Sequence, residues 1–231
     1  MRIKTLALVC AACGWAAAPQ AGQVVYDNLG TPAVNPADGS QYFIGGFGYD
    51  EVGDDMVLLQ PGLRVFEWAK VAYTGAAFDG NETMTMSLYM MDGAPTPGSF
   101  GFPTPGTSIY SQTVPIGAGA SNLAMFADAS GTVILPDVVG MGLTFGGIDG
   151  AETFGPLLFD PPTVGSSFFD YWLRGVPVSG GPWGLYSFGG NPNVNLGVQI
   201  TAVPEASTWV SLVGLSGLVG AVAWRRLRRA R

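Results

Sequence analysis

The chain has 231 residues, with seventeen acidic against ten basic side chains, no histidine and two cysteines. Residues 23–203 keep only Arg64, Lys70 and Arg174 against sixteen acids, a formal charge of −13, which excludes nucleic acid and anionic membrane surfaces as partners. The missing histidine removes Ser-His-Asp and Cys-His catalysis and imidazole metal sites, and Cys10 and Cys13 both lie in the first segment, so thiol chemistry goes too.

Residues 1–22 read as a secretory signal peptide. Arg2 and Lys4 form a basic start, an apolar run begins at Leu6, and Ala16, Ala17, Ala18 and Ala21 supply small residues for cleavage. Pro19 disfavours a cut after Ala18, so cleavage is expected near Ala21 or Gly22. The Sec translocon and signal peptidase are the partners this implies. The lipoprotein alternative at Cys13 lacks the leucine expected three positions earlier, where Cys10 stands. The mature protein then has no cysteine and must be held by its core alone.

Residues 23–203 have the pattern of a single β domain. Met84, Met86, Leu88 and Met90 alternate with Thr83, Thr85, Ser87 and Tyr89, and Val194, Leu196, Val198 and Ile200 alternate with Asn193, Asn195, Gly197 and Gln199. A period of two puts one face on a core and the other in water. Further strands are expected over 24–28, 63–73, 108–114, 132–135, 142–148, 168–174 and 184–188. Gly/Pro clusters separate them at 93–105, 117–119, 146–150 and 180–182. This leaves no room for a long helix and no fixed repeat. The expected fold is all-β: an antiparallel β-sandwich of jelly-roll type.

Three features of the domain carry chemistry. Asp50, Glu51, Asp54 and Asp55 surround Gly53, and acidic loops with a glycine turn supply the oxygens calcium takes. The spacing is not that of an EF-hand, and a solvated acidic loop at a strand entry is the plainer reading, so no cofactor is assigned. The same four acids, with Glu67 and Asp170, are the candidates for acid–base work. A glycosidase would need two of them facing each other, about 5–9.5 Å apart. Trp68 and Trp183, with other aromatics, offer a platform for sugar rings, although most tryptophans of a sandwich fill its core, and Trp172 within F-F-D-Y-W reads that way. Gly45-Gly46-Phe47-Gly48 has no helix after it to present to phosphate and reads as a turn or bulge.

The last segment, 204–231, is built of three unlike pieces. Pro204-Glu205-Ala206-Ser207 forms a short polar motif, 208–224 an apolar run, and 225–231 an arginine cluster. From Ala206 to Trp224 nineteen residues carry no charge, about 28 Å as a helix against the ~30 Å of a bilayer core. Trp209 and Trp224 stand at its ends, where indole rings favour the headgroup level. Arg225, Arg226, Arg228 and Arg229, with Arg231, orient the helix with its C-terminus in the cytoplasm and everything before it outside.

This arrangement resembles the PEP-CTERM sorting signal of Gram-negative bacteria, in which a Pro-Glu-Pro motif precedes a transmembrane helix and a basic tail. Pro204 and Glu205 match; Ala206 stands where the second proline would be. The resemblance implies processing by the membrane enzyme exosortase, transit through the inner membrane with a periplasmic ectodomain, and a final place on the cell surface or outside the cell. E-V-G-D-D at 51–55, P-G-T-S-I-Y at 105–110 and D-P-P-T-V-G-S-S-F-F-D-Y-W at 160–172 are similar to stretches of uncharacterised PEP-CTERM ectodomains, which bring no activity with them.

Two functional classes follow. The preferred one is a non-catalytic surface or matrix protein, structural or binding glycan, with exopolysaccharide as a partner. The alternative is an extracellular glycan-active enzyme using carboxylates. A buried or cleft-lining carboxylate pair with no basic partner is the feature that separates them.

Overall fold

The computed structural model describes residues 21–45, 49–59, 63–168, 170–176, 179–187 and 195–204. Eight strands make two sheets. They are β1 (Gln23–Asp27), β2 (Glu51–Val57), β3 (Leu63–Ala76), β4 (Thr83–Met90), β5 (Ser108–Pro115), β6 (Gly119–Ala127), β7 (Val138–Gly146) and β14 (Val198–Pro204). One sheet has the order β1-β14-β3-β6, the other β2-β7-β4-β5, and every pairing is antiparallel. With β14 counted as the eighth strand these orders are 1-8-3-6 and 2-7-4-5, the arrangement of a jelly roll. β8 (Thr153–Pro156) adds to β3 in the first sheet. β10 (Ser166–Ser167), β11 (Asp170–Arg174) and β12 (Trp183–Ser187) extend the second beyond β2. β9 (Leu158–Phe159) and β13 (Asn195–Leu196) form a separate small ladder.

The alternations seen in the sequence fill the space between the sheets. Met84, Met86 and Leu88 of β4 and Val198, Ile200 and Ala202 of β14 are fully buried in one cluster. Phe66 of β3 meets Tyr110 of β5 edge-on at 4.9 Å, and Phe145 of β7 meets Phe154 of β8 at 4.9 Å, so both contacts bridge the sheets. Each such side chain stabilises the fold by about 1.5–3 kcal/mol through burial. A register shift opposite Thr201 and Ala202 skips Glu67, so Phe66 and Ala69 both face inward while Trp68 and Lys70 turn outward. Glu67 is the extra residue of this bulge, half-buried, not a member of a simple alternating row.

Several expectations shift. The acidic stretch 51–57 is strand β2 and not a loop, and β6, which starts at Gly119 of the 117–119 turn cluster, has no counterpart among the expected strands. The strand expected over 142–148 begins earlier, at Val138, and 132–135 forms a single bridge through Ile134 to Val65. Among the described residues the only helical turn is Pro97–Ser99, in the connection from β4 to β5.

The strand directions gather several elements at one end of the sandwich. Gln23 lies opposite Ala202, and Leu63 opposite Pro204. The amide of Leu59 donates to Val25 at 2.8 Å and that of Leu135 to Arg64 at 2.7 Å. Val57 pairs with Val138 and Met90 with Val139. The end of the second sheet marked by Val57, Val138 and Met90 is thus the end at which the chain leaves toward residue 205.

Candidate functional site

Strand β2 sends Val52, Asp54 and Met56 into the core, and Glu51, Gly53 and Asp55 to the outer face of its sheet. β11 adds Asp170, Trp172 and Arg174 to that face. β7 crosses it with Gly140 and Gly142, and both absences of a side chain are needed. A Cβ on Gly142 would collide with the Glu51 carboxylate, and one on Gly140 would stand 2.8 Å from Met91 Sδ. The β4–β5 connection folds over the face and is fastened there by Thr96, whose hydroxyl donates to the Trp183 carbonyl at 2.8 Å.

The face has a closed part and an open part. In the closed part, buried Glu51 accepts a hydrogen bond from the Tyr89 hydroxyl at 2.8 Å and pairs with Arg174 at 2.7 Å. The Arg174 guanidinium lies 5.4 Å from the Trp183 ring centre, and Tyr89 meets Trp183 edge-on at 6.0 Å. Burial raises the Glu51 pKa against the opposing pull of Tyr89 and Arg174.

The open part is a cleft of about 440 Å³ at the end from which the chain leaves. Trp172, Leu185, Met91 and Val138 line its depth, and Met90, Phe102 and Phe168 stand exposed around it. Asp55, Asp92 and Asp170 also line it, and among the described residues no lysine, arginine, amide or hydroxyl side chain does. Asp92 is engaged by the Thr107 amide and hydroxyl, both at 2.7 Å, which hold its pKa down and close the base of the β4–β5 connection. Asp55 and Asp170 differ. Each keeps one buried oxygen without a hydrogen-bond partner. Burial and the charge of Asp55 push Asp170 up to about 6, and burial raises Asp55 although the neighbouring Trp172 indole favours its charged form.

The four acids of the calcium expectation go to four places. Asp50 is held on the surface by the Ser179 hydroxyl (2.7 Å) and the Gly180 amide (2.6 Å), which lower its pKa. Glu51 joins the Arg174 cluster and Asp55 the cleft. Asp54 points inward, fully enclosed, accepting from Ser167 (2.9 Å), the Asp55 amide (2.8 Å) and the Leu196 amide (3.3 Å), and burial drives its pKa well above the ordinary range. Strand alternation, which sends neighbours to opposite faces, is why they do not converge. Asp79, Glu82 and Glu152 do bring carboxylate oxygens within 4.8 Å of one another, but backbone amides already donate to both glutamates.

Trp68 and Trp183 lie on different sheets and form no common platform. Trp68 carries the Lys70 ammonium 4.8 Å from its ring centre, while Trp183 is buried beneath Arg174. Trp172 borders the cleft from beneath and is itself buried with Tyr89 and Trp183, in the core position that the F-F-D-Y-W run suggested. The usable signal for the cleft was Asp170-x-Trp172, an acid and an aromatic on one face of a strand.

The last strand of this β domain runs without a spacer into the polar motif at 204–207. The sorting signal is specific: residues 202–229 match the family model of the PEP-CTERM protein-sorting motif. The chain carries that motif, which marks an exosortase-sorted, exported protein in membrane-anchored transit. No curated protein and no solved structure matches the chain. Pro204 closes β14, so the motif begins inside the sheet. Glu205, Trp209, Trp224 and the arginines from Arg225 onward lie outside the described residues, as do positions 1–20 of the expected signal peptide. No helix among the described residues is long and apolar enough to cross a membrane.

Proposed function

We propose that the protein is an exported cell-surface or matrix component whose jelly-roll ectodomain binds glycan in the outer-face cleft without transforming it. The observation that supports this is the cleft itself, with the exposed rings of Phe102 and Phe168 around it. Exposed aromatics gathered around a concavity mark a binding surface, and a sugar ring presents C–H groups to such faces. Delivery by Sec, removal of the leader by signal peptidase and processing by exosortase would bring the domain to the exopolysaccharide. A glycan array and a pull-down on the native exopolysaccharide test the reading. Phe102→Ala/Phe168→Ala should abolish retention, and no binding on either assay would remove the glycan role.

One observation favours the second reading, a glycan-active enzyme. Asp55 and Asp170 are cleft-lining carboxylates with no basic partner among the described residues. A carboxyl raised to about 6 is suited to donate a proton near neutrality. New reducing ends from exopolysaccharide incubated with the protein, lost in Asp170→Asn, would establish it. Unaltered polysaccharide with binding retained supports the non-catalytic reading.

A further inference from the structure

The three basic residues between 23 and 203 each have another partner, and none of them lines the cleft. Arg64 pairs with Asp137, Arg174 with Glu51, and Lys70 lies over Trp68 on the other sheet. Arg174 shares a face of β11 with Asp170, but four residues further along, about 13 Å in an extended strand. Among the described residues, the carboxylates of Asp55 and Asp170 therefore have no cation to neutralise them. A neutral sugar supplies none either. It would leave two charges next to one another in an apolar recess, a costly arrangement.

We propose that the cleft selects a glycan bearing free amines, with an ammonium between Asp55 and Asp170 and the C–H face of the same sugar against the exposed rings of Phe102 and Phe168. This rests on the reading of the cleft as the glycan site and names the sugar class. An amino sugar carries on one small ring both things the recess asks for: an apolar face and a positive donor at its edge. Hydrogen bonds between ionised partners are about twice as strong as neutral ones, and a ring-mounted cation also gains from an aromatic face. A lysine-bearing peptide would satisfy the charge but not the surroundings. β2, β7 and β11, which floor the cleft, are each flanked on both sides by other strands, so no free ladder edge is there to hold a peptide main chain. Nor does the recess suit a bare calcium ion, which needs six to eight oxygens, against an otherwise apolar lining.

The test is a titration of the full-length chain at neutral pH, followed by calorimetry and by tryptophan fluorescence. The probes are a glucosamine tetrasaccharide, the N-acetylglucosamine tetrasaccharide and a lysine-containing tetrapeptide. The expected result is that the free-amine sugar binds about tenfold or more tighter than its acetylated counterpart. The double variant Asp55→Asn/Asp170→Asn should bind both sugars alike. Equal or tighter binding of the acetylated sugar by the wild-type chain overturns the amine preference and leaves the glycan reading standing. Tighter binding of the tetrapeptide overturns it in favour of a peptide ligand. Failure of both sugars removes the glycan reading as well. The wild-type comparison decides the matter even if the double variant does not fold.

Discussion

Gln23 and Ala202 face each other across the β1–β14 ladder, so the chain enters and leaves the sandwich at one end. A leader before Gln23 and an anchor after Pro204 would hold the same end of the domain toward the membrane. Pro204 is both the last residue of the sheet and the first of the polar motif. Exosortase processing after Pro204 would therefore act close to the folded domain.

The processing step gives the first prediction. Replacing Pro204 and Glu205 with alanine should leave full-length protein in the inner membrane, read by fractionation and by mass spectrometry of the C-terminus. Release at the normal level would count decisively against exosortase processing.

Acid should at first strengthen the fold. Asp170 titrates at about 6 in the folded domain against an ordinary 3.8, and Glu51, Asp54 and Asp55 are also raised. Between these limits the folded state holds protons that the unfolded chain has lost, so stability rises as pH falls through that window. Asp50, Asp92 and Asp128 are lowered instead, and their contribution is lost on further acidification. Melting temperature followed by circular dichroism should peak between roughly pH 4 and 6. A steady decline from neutrality downward would show that the raised carboxylates do not govern the fold's response.

Asp54 separates the need for a polar group from the need for a charge. Asp54→Ala deprives the Leu196 amide and the Asp55 amide of their Asp54 acceptors and leaves the Ser167 hydroxyl only its longer contacts to Phe168 and Asn195, at a cost of about 1–3 kcal/mol. Asp54→Asn keeps one acceptor and no charge and should cost about 1 kcal/mol or less. Urea unfolding of the two variants measures the difference, and equal losses would mean the site needs an ionised aspartate.

Gly142 tests the closed part of the outer face. Gly142→Ala drives a methyl group into the Glu51 carboxylate, which would have to leave Tyr89. The expected destabilisation is about 1–3 kcal/mol. The variant Gly142→Ala/Glu51→Ala should recover part of it in the same unfolding assay, because the colliding group is gone. Additive losses would place the strain elsewhere.

The parts of the fold that the sequence displays are those with one wet and one dry face. β4 and β14 alternate cleanly because Met84, Met86 and Leu88 and Val198, Ile200 and Ala202 fill the inward positions without interruption, although Tyr89 on the outer side joins the Glu51 cluster. β2 was unreadable because acids and glycine serve it on both faces: Asp54 in the core network, Glu51 and Asp55 outside. β6 hides for the opposite reason, since Gly119-Ala120-Ser121-Asn122 offers no bulky side chain to mark a period. The candidate site was half legible. Asp55 and Asp170 were both named as acids, but in F-F-D-Y-W aromatics occupy both parities, so the run does not say which ring faces the core and which the cleft.

The position of β14 sets the order in which the molecule is completed. It lies between β1 and β3, which touch each other only through it, so the first sheet has a gap at its centre until residues 198–204 arrive. Such distant pairings are slow to form. A chain exported from its N-terminus delivers that strand last, immediately ahead of the sorting motif. Assembly of the sheet and presentation of the motif thus become nearly simultaneous, and a chain that stops short of either supplies neither.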